Sequence, residues 1–469
     1  MGSLSDQQSQ HDDEMTSMEQ VAVIMVPFAA QGHLNQLMQL SCLITSYGLP
    51  VFYISSATHI RQARVRVNGL NPLDVAKIHF HDIPIPPFAS PPPDPNASCK
   101  FPEQLQPAWD ASLSQRQPFA AYLREMSEKF KRVVVIHDLL MSAVVQDVIS
   151  IHNAESYAFN CIPAFSQAFF IGEGTLDSSV ERLKELQSLQ GCIPEKMLEF
   201  VAIQAVPLGY RAGDLYNTCR LIEAHYLDLL EKEESGGNRK TWAIGPILPT
   251  KLSSAAKPAN KCLEWLDQQE PKSVIYVSFG TTVSLTDEQI KELALGLEQS
   301  KVKFLWVLRD ADKGDIFDGQ VRRVELPEGF EERVKEVGMV VRDWAPQPEI
   351  LAHKSTGGFM SHCGWNSCIE SITMGVPIAA WPMHSDQPRN MMFVTQVLKM
   401  GIVVMEWEQR TEIVKASAIE NAVRRLMASE EGEEIRKRAE ELAATLRQAM
   451  EPGGASRLEL DSFVAHITR

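Results

Sequence analysis

Short apolar runs alternate along the chain with stretches in which apolar residues recur at helical spacing. The apolar run at 21–26 is followed by a glycine turn, a helical pattern over 34–44 and a second apolar run at 51–54. This order predicts a strand, a helix and a strand, which open a parallel sheet. The first half continues with predicted strands at 77–81, 132–136 and 156–159 and a predicted helix at 141–149.

A second series of the same kind occupies the other half of the chain. Strands are predicted at 274–278 and 304–308, with a helix at 287–297 between them. Later strands are predicted at 339–341, 358–361 and 378–381, and three helical stretches fill 416–467. The pattern predicts an α/β protein with two Rossmann-like domains that face each other across a cleft. Ligands of such sheets bind beyond the carboxyl ends of the strands, so we expect the active site in that cleft.

Composition along the chain suggests where the domains begin and end. Residues 1–20 are polar and acidic and are expected to form a disordered tail. Residues 21–245 form the predicted first domain, and the segment 246–261, rich in proline, serine and lysine, predicts a linker. Residues 262–450 form the predicted second domain. The last residues, 451–469, are expected to form a helix that packs back on the first domain.

Overall composition limits the classes of function. The chain has 60 acidic and 45 basic residues and a net charge of -15, which works against nucleic acid or an anionic membrane as a partner. The chain has no apolar run of the roughly 18 residues needed to span a bilayer, no secretory signal pattern, and no zinc or disulfide spacing among its eight cysteines. We expect a cytoplasmic monomer with reduced thiols, in which local donors hold any anionic ligand.

The densest chemical signal lies in the second half. A predicted strand that ends at Ser361 runs through Gly364 into a helix, so free backbone N–H groups and the positive end of the helix dipole meet at one place. Three side chains can add donors there: His362, Asn366 and Ser367. This suits a diphosphate without a metal. The turn alone is equally compatible with a structural interpretation, in which Ser367 only caps the helix and His362 is a buried histidine.

A second signal lies at the mouth of the first predicted sheet. His33 is expected in the loop between the first strand and the first helix, and imidazole suits a general base near neutral pH. Asp138, just after the strand at 132–136, emerges at the same edge, where a carboxylate would orient the imidazole. The alternatives are a structural histidine and a helix-capping aspartate, and the adjacent His137 leaves the assignment of Asp138 open.

The segment 344–387 resembles the signature box of the plant secondary-product UDP-glycosyltransferases. It begins Trp-Ala-Pro-Gln, contains Ser-His-Cys-Gly-Trp-Asn-Ser and ends His-Ser-Asp-Gln. The resemblance implies the GT-B fold, with an acceptor-binding first domain and a UDP-sugar-binding second domain. It also implies inversion at the anomeric carbon and no metal or other cofactor. A final glutamine in this box generally goes with glucose, although xylose-using relatives share it.

The resemblance implies roles at the matching positions. The uridine is expected to contact Trp344, through stacking of the uracil, and Ala345, Gln347 and Glu370. The phosphates are expected at His362, Gly364, Asn366 and Ser367, and the sugar hydroxyls at Trp365, Asp386 and Gln387. The loop 279–282 resembles the phosphate-side loop of the family, which adds Thr281 and Thr282. His33 matches the catalytic histidine and Asp138 the carboxylate that orients it, whereas Gln36 stands where the family usually has proline.

Stretches outside the box look like the zeatin O-glycosyltransferase group, among them 58–63, 278–282, 306–319 and 463–467. This similarity implies transfer of glucose from UDP-glucose to the side-chain hydroxyl of a zeatin-type cytokinin. A flavonoid or other phenolic acceptor and a xylose donor remain open at this point.

Three other classes of protein share some of these features. The triplet Asp310-Ala311-Asp312 matches the DxD pattern of metal-dependent glycosyltransferases, and we interpret it as a solvated loop because the helix terminus and His362 already supply donors. A dehydrogenase would also have paired α/β domains, but neither opening strand is followed by a dinucleotide-binding glycine motif. A non-catalytic small-molecule-binding protein on the same fold remains open.

Overall fold

The computed structural model describes residues 19–67, 69–172, 192–234, 239–248, 260–318 and 322–469. Most of the predicted N-terminal tail (1–18), the central part of the predicted linker (249–259) and Gly319 lie outside these residues. The described chain forms two parallel β-sheets, one in each half, with helices connecting the strands. The predicted α/β class is confirmed.

The first sheet has seven strands in the order β3-β2-β1-β4-β5-β6-β7. They are β1 (Glu19–Val26), β2 (Val51–Ser55), β3 (His79–Asp82), β4 (Phe130–Asp138), β5 (Ala154–Asn160), β6 (Gly213–Tyr216) and β7 (Lys240–Ala243). The helices of this half are α1 (Gln31–Thr45), α2 (Ala57–Val65), α3 (Pro72–Val75), α4 (Gln106–Ser112), α5 (Arg116–Lys129), α6 (Ser142–Val145), α7 (Ala164–Gly172), α8 (Glu195–Leu208) and α9 (Arg220–Glu234).

Strand β1 shows why the central strands appear as continuous apolar runs. Val21, Val23 and Met25 point into one apolar cluster. Ala22 and Ile24 point into another on the opposite face of the sheet. A parallel strand covered by helices on both faces needs apolar residues at every position, not at alternate ones.

The segment predicted as one helix at 141–149 is not a continuous α-helix. The segment consists of a 3-10 turn (Leu139–Met141), the single α-turn α6 and a second 3-10 turn (Gln146–Ser150). Ser142 and Gln146 donate side-chain hydrogen bonds to the carbonyls of Leu139 and Ala143. Such local bonds, together with the β-branched Val144 and Val145, compete with a regular α-helix.

The second sheet has six strands in the order β10-β9-β8-β11-β12-β13. They are β8 (Val274–Ser278), β9 (Lys303–Val307), β10 (Gly338–Val341), β11 (Thr356–Ser361), β12 (Ile378–Ala380) and β13 (Gly401–Val403). The helices are α10 (Lys261–Asp267), α11 (Asp287–Ser300), α12 (Phe330–Val334), α13 (Gln347–Leu351), α14 (Trp365–Met374), α15 (Gln387–Met392), α16 (Ala416–Ala428), α17 (Glu430–Met450) and α18 (Ala455–Ile467).

Helix α18 returns to the first sheet. Phe463 contacts Tyr157 and Trp242 edge to face, with ring centroids 5.3 and 5.2 Å apart. Leu460 and Ile467 belong to the same buried cluster as one face of β1. The end of the chain therefore ties the second half to the first through apolar burial.

Two further findings concern the whole described chain. Within the described ranges, no helix combines the length and the apolarity needed to cross a bilayer. All eight cysteines are free thiols, and all except Cys99 are buried.

Candidate active site

The sheet topology places the site before any side chain is considered. In the first sheet β2 and β3 lie on one side of β1, and β4 and the later strands lie on its other side. In the second sheet β9 and β10 lie on one side of β8, and β11 and the later strands lie on its other side. A crevice opens beyond the carboxyl ends of strands at such switch points. The two crevices form one cavity of about 610 Å³, lined by both halves of the chain. That volume is typical of a small-molecule site.

His33 and Asp138 meet at the switch point of the first sheet. His33 Nδ1 lies 2.6 Å from Asp138 Oδ2. Asp138 is the last residue of β4, which pairs with β1, and His33 lies on the helix that follows β1, so the two side chains meet at the carboxyl ends of neighbouring strands. The expectation that His33 precedes the helix is corrected, because α1 begins at Gln31 and His33 lies in its first turn.

The capping and orienting roles of Asp138 turn out to be compatible. Its Oδ1 accepts the backbone N–H of Leu140 at 2.9 Å and caps the 3-10 turn, while Oδ2 faces His33. His137 does not compete for the role. Its Nδ1 lies 2.9 Å from the carbonyl oxygen of Asp138, and burial lowers its pKa to about 4, which keeps this imidazole neutral.

The electrostatics of the pair suit a base. Burial by itself lowers the pKa of His33, but the charge and hydrogen bond of Asp138 outweigh burial and raise that pKa above its ordinary value. Burial by itself raises the pKa of Asp138, and the charge and hydrogen bond of His33 bring it below its ordinary value. The carboxylate therefore stays ionised and increases the proton affinity of the imidazole.

A third group at this pair was missed in the sequence. Cys161 directly follows β5, and its Sγ–H donates to Asp138 Oδ2 at 3.1 Å. Gln36 donates to the Cys161 carbonyl at 3.1 Å and accepts from Asn217 at 2.9 Å, so it ties α1 to the strands beside it. The glutamine that replaces the usual proline is thus a buried cross-link. The available signal was position, since Cys161 directly follows the strand next to the one that ends at Asp138.

One group of possible metal ligands occurs among the residues that the structure describes. It consists of His33, Asp138 and Cys161, whose ligand atoms lie within 4.8 Å of one another. In this arrangement His33 and Cys161 already share hydrogen bonds with the same oxygen of Asp138.

The second half of the site is built on the helix terminus predicted from the sequence. Strand β11 ends at Ser361, Gly364 is the N-cap residue of α14, and His362 lies between them. Burial lowers the pKa of His362 to about 4, so its imidazole is neutral at pH 7, and its buried Nδ1 has no partner within the described protein. A neutral imidazole beside a helix amino terminus can donate one N–H to a phosphate oxygen.

Gly280 and Gly364 enclose this imidazole. A Cβ added at Gly280 would lie 2.5 Å from His362 Nε2, and one added at Gly364 would lie 2.6 Å from the same atom. Gly280 also has a φ of +75°. Both positions therefore require glycine for the close approach to His362, and Gly280 also for its backbone conformation.

We expect Gly280→Ala to weaken UDP binding by at least about tenfold, which corresponds to about 1.4 kcal/mol, because the new methyl group displaces His362. Titration calorimetry with UDP measures the loss. Gly48→Ala is the matched control, since Gly48 has a φ of +79° but an added Cβ meets nothing within 4 Å. Unchanged UDP affinity in a folded Gly280→Ala protein would remove His362 from the diphosphate site.

The residues predicted to hold the uridine ribose are brought together. Gln347 Nε2 donates to Glu370 Oε2 at 2.8 Å and to Ser367 Oγ at 3.0 Å. Burial raises the pKa of Glu370 to about 7. Ala345 lines the same wall, and the Trp344 ring lies 4.5 Å from the guanidinium carbon of Arg66.

The residues predicted to contact the sugar lie at the same cavity, but several polar atoms are already engaged. Trp365 Nε1 donates to the Asn217 carbonyl at 2.9 Å, so its indole N–H is not free for a hydroxyl. Gln387 Oε1 accepts from the backbone N–H of Met383 and of His384. Asp386 Oδ2 accepts from Asn390 Nδ2 at 2.7 Å.

The phosphate-side loop also lines the cavity. Thr282 Oγ1 lies 3.1 Å from His384 Nε2, and Thr281 lies beside it in the wall. The two halves touch where Asn366 Nδ2 donates to the Gly32 carbonyl at 2.8 Å. The first turn of α14 therefore contacts the residue next to His33, which places base and anion site face to face.

The wall that α7 and α8 contribute to the cavity is mostly apolar. The ring of Phe28 packs edge to face on His33, with centroids 5.2 Å apart. Helix α8 contributes Leu198, Val201, Ala205 and Leu208, which follow one helical stripe. Among the described lining residues on α7 and α8, none is charged. This end of the cavity suits a neutral, largely apolar molecule that presents a hydroxyl to His33.

The interpretation of Asp310-Ala311-Asp312 as a solvated loop is wrong. Asp310 and Asp312 are both buried. Asp310 Oδ1 accepts from Ser284 Oγ, and both oxygens of Asp312 accept from Arg66. Buried carboxylates need such partners, and the partners come from elements that local sequence does not reveal.

Transfer of a glycosyl group from a nucleotide needs a base for the acceptor and a stabilised diphosphate as leaving group, opposite each other. The cleft contains groups that can serve both purposes, one set on each Rossmann-like domain. The fold and site therefore define a nucleotide-sugar-dependent glycosyltransferase with the GT-B fold.

Two family models match consecutive parts of the chain. The model described as "Glycosyltransferase, N-terminal domain" matches residues 19–249, and "UDP-glucoronosyl and UDP-glucosyl transferase" matches residues 246–437. The chain belongs to this family of UDP-glycosyltransferases, as the signature box indicated.

Individual relatives are similar to this chain over nearly its full length. The chain is 52% identical to the zeatin O-xylosyltransferase of Phaseolus vulgaris, over 96% of this chain and 98% of the relative. It is 51% identical to the zeatin O-glucosyltransferase of Phaseolus lunatus, over 98% and 99%. A glycosyltransferase of Siraitia grosvenorii, solved in complex with UDP, has a TM-score of 0.75 at 27% identity and covers 96% of this chain and 100% of that one.

Proposed function

We propose that this enzyme is an inverting O-glycosyltransferase that transfers glucose from UDP-glucose to the side-chain hydroxyl of a zeatin-type cytokinin. The observation that carries the proposal is the His33–Asp138 contact of 2.6 Å, opposite the phosphate-side helix terminus. The similarity to two zeatin O-glycosyltransferases at about half identity supports the acceptor class.

In the proposed mechanism the acceptor hydroxyl lies against His33 Nε2. His33 removes its proton as the oxygen attacks the anomeric carbon, and ionised Asp138 stabilises the resulting imidazolium. Attack from the face opposite the phosphate breaks the bond to UDP in the same step. An α-linked UDP-sugar then yields a β-glycoside.

The second domain is proposed to hold the donor. Trp344 stacks on uracil, with Ala345 and Gln347 beside it, and Glu370 accepts hydrogen bonds from the ribose. The amino terminus of α14, with His362, Gly364, Asn366 and Ser367, stabilises the diphosphate as charge develops on it. Thr281 and Thr282 approach the diphosphate from the loop after β8. Asp386, Gln387 and Trp365 face the sugar.

No step of this scheme uses a metal ion, so we propose that the transfer is metal-independent. All residues of the proposed site belong to one chain, which is compatible with the predicted monomer. The domain boundaries of 21–245 and 262–450 and the cytoplasmic location stay predictions of the sequence.

The test is UDP release from UDP-glucose and UDP-xylose, each offered with trans-zeatin, cis-zeatin and a flavonol, with and without EDTA. We expect turnover with a zeatin isomer and UDP-glucose that EDTA leaves unchanged. Faster turnover with UDP-xylose would show that the donor sugar is xylose and not glucose. Turnover with the flavonol alone would overturn the assignment of a cytokinin as the acceptor. Loss of activity in EDTA would overturn metal independence.

A further inference from the structure

The buried Asp310-Ala311-Asp312 triplet belongs to a segment that crosses the cleft. This bridging segment, residues 309–318, follows β9 in the second domain but contacts the first. Gln104 donates to the Asp312 carbonyl at 3.1 Å, and Gly314 N donates to Ser90 Oγ at 2.6 Å. A Cβ at Gly314 would lie 2.9 Å from side-chain carbons of Ala108 and Phe88.

The segment also meets helix α2. His59 Nε2 lies 3.3 Å from the Gly314 carbonyl, and the guanidinium of Arg61 lies 3.9 Å from the centre of the Phe317 ring. The stretch at 58–63 and the described part of 306–319 therefore touch each other across the cleft. Neither of these two stretches belongs to the donor box.

The strongest polar contact of the bridging segment is an ion pair. Arg66, directly after α2, bonds Asp312 through two parallel contacts of 2.5 and 2.9 Å. Both side chains are less than a tenth exposed. Arg309 adds a contact of 3.0 Å to the same carboxylate. Both oxygens of Asp312 are thus occupied by guanidinium groups, which is the partner set of a structural ion pair and not of a metal ligand.

Arg66 touches both halves of the reaction site. Its guanidinium carbon lies 4.5 Å from the centre of the Trp344 ring, on which uracil is proposed to stack. Its Nη1 also donates to Gln31 Oε1 at 2.9 Å. Gln31 is the first residue of α1, two positions before His33, and it donates to Asn35 at 2.7 Å. One buried guanidinium therefore contacts the donor wall and the helix that carries the base.

We propose that Arg66 and Asp312 form an interdomain clamp that sets the position of His33 relative to the sugar bound on the second domain. They are positioning residues, and the DxD-like triplet serves this clamp instead of a metal. The inference deepens the proposed function and depends on it for its kinetic test. In-line attack requires the acceptor oxygen and the anomeric carbon to stay aligned, and a displacement of about 1 Å can cost about 10²-fold in rate.

The clamp should affect turnover more than donor binding. The proposed uridine and diphosphate contacts, Trp344 to Ser367 and Glu370, all lie on the second domain. Breaking the clamp leaves those contacts in place, but it frees the first domain to shift. We expect Arg66→Met and Asp312→Asn each to lower kcat by about 10²-fold while the Kd of UDP stays close to that of the wild type.

The double variant separates a shared role from two independent ones. If the residues act through each other, Arg66→Met with Asp312→Asn loses no more activity than the worse single variant. Arg116→Met is the matched control, because Arg116 forms a two-contact ion pair of 2.9 and 3.0 Å with Asp147 inside the first domain. It should keep wild-type kcat. Arg66→Lys, which retains the charge but not the two parallel contacts, should fall between wild type and Arg66→Met.

Four results would overturn the clamp. A large rise in the Kd of UDP with unchanged kcat in Arg66→Met would make Arg66 a uracil-binding residue. Recovery of Asp312→Asn by added Mn²⁺, or multiplicative losses in the double variant, would also contradict it. Hydrogen exchange needs no acceptor, so it tests the clamp even if the proposed acceptor is wrong: Arg66→Met should expose amides of 57–65 and 309–318, and unchanged protection there would sink the proposal.

Discussion

Replacing His33 with alanine should lower kcat by about 10³-fold, the range expected when a positioned general base is lost. His33 is the imidazole at the cavity that Asp138 holds at 2.6 Å and whose pKa it raises. The donor contacts lie on the other domain, so UDP affinity should remain. Steady-state kinetics with UDP-glucose and the accepted hydroxyl compound, together with calorimetry of UDP binding, measure both parts.

His137→Ala is the control for this experiment. His137 is a buried histidine next to the same aspartate, but its imidazole bonds the backbone and is neutral. The folded variant should retain most of its kcat. If His137→Ala were the inactive variant and His33→Ala the active one, the assignment of the base would be wrong.

The second large effect is expected for Asp138→Asn. The amide preserves shape but removes the charge that stabilises the imidazolium, and it can hold His33 in the wrong tautomer. In hydrolases with a His–Asp pair, the same substitution costs about 10⁴-fold in kcat, and we expect a loss of at least about 10²-fold here. Single-turnover rates, measured with enzyme in excess over donor, quantify it without a contribution from product release.

The pH dependence of activity should shift in a defined direction in Asp138→Asn. His33 must be neutral to accept a proton, and its pKa lies above its ordinary value near 6.5 in the wild type. Activity should therefore be full above that raised pKa and disappear as the pH falls through it. In Asp138→Asn only burial remains as the main influence, which lowers the pKa of His33, so the acidic limb of kcat/KM should move to lower pH.

Cys161→Ala is the control for the direction of that pH shift. Its thiol donates to Asp138 Oδ2, the oxygen that also faces His33. Without the thiol the carboxylate interacts more strongly with His33, so the acidic limb should move to higher pH, opposite to Asp138→Asn. Profiles of kcat/KM between about pH 5 and pH 9 distinguish the two variants. Shifts in the same direction would contradict the proposed electrostatics.

The hydrophobic pattern of neighbouring residues was sufficient to predict the elements that those residues form. The apolar runs predicted the central strands because helices cover them on both faces, as β1 shows. The position of the amino terminus of α14 follows from a strand, a glycine and a helix that are adjacent in sequence. The predicted first helical turn at Trp365 is therefore confirmed, and its role in anion binding stays a prediction.

The hydrophobic pattern did not predict the structure correctly where an element begins with polar residues. It also did not predict contacts between side chains that are distant in sequence. The helix that carries His33 begins with Gln31 and Gly32, which add nothing to an apolar period. The segment after β4 contains enough apolar residues for a helix, yet side-chain bonds to nearby carbonyls break it into short turns. The spacing of cysteines indicates metal sites and disulfides, so it gives no signal for the single hydrogen bond from Cys161 to Asp138.

Periodicity was enough to predict the α/β class and the two domain series. The roles of the donor box and of His33 were implied by the resemblance of these residues to a known family, and they stay predictions. The pairs of side chains that meet across the cleft could be identified only from the folded structure. His33 and Asp138 are 105 positions apart, and Arg66 and Asp312 are 246 apart. Periodicity specifies which face of an element is buried, but a buried charge takes its partner from whatever the packed domains bring within hydrogen-bonding distance.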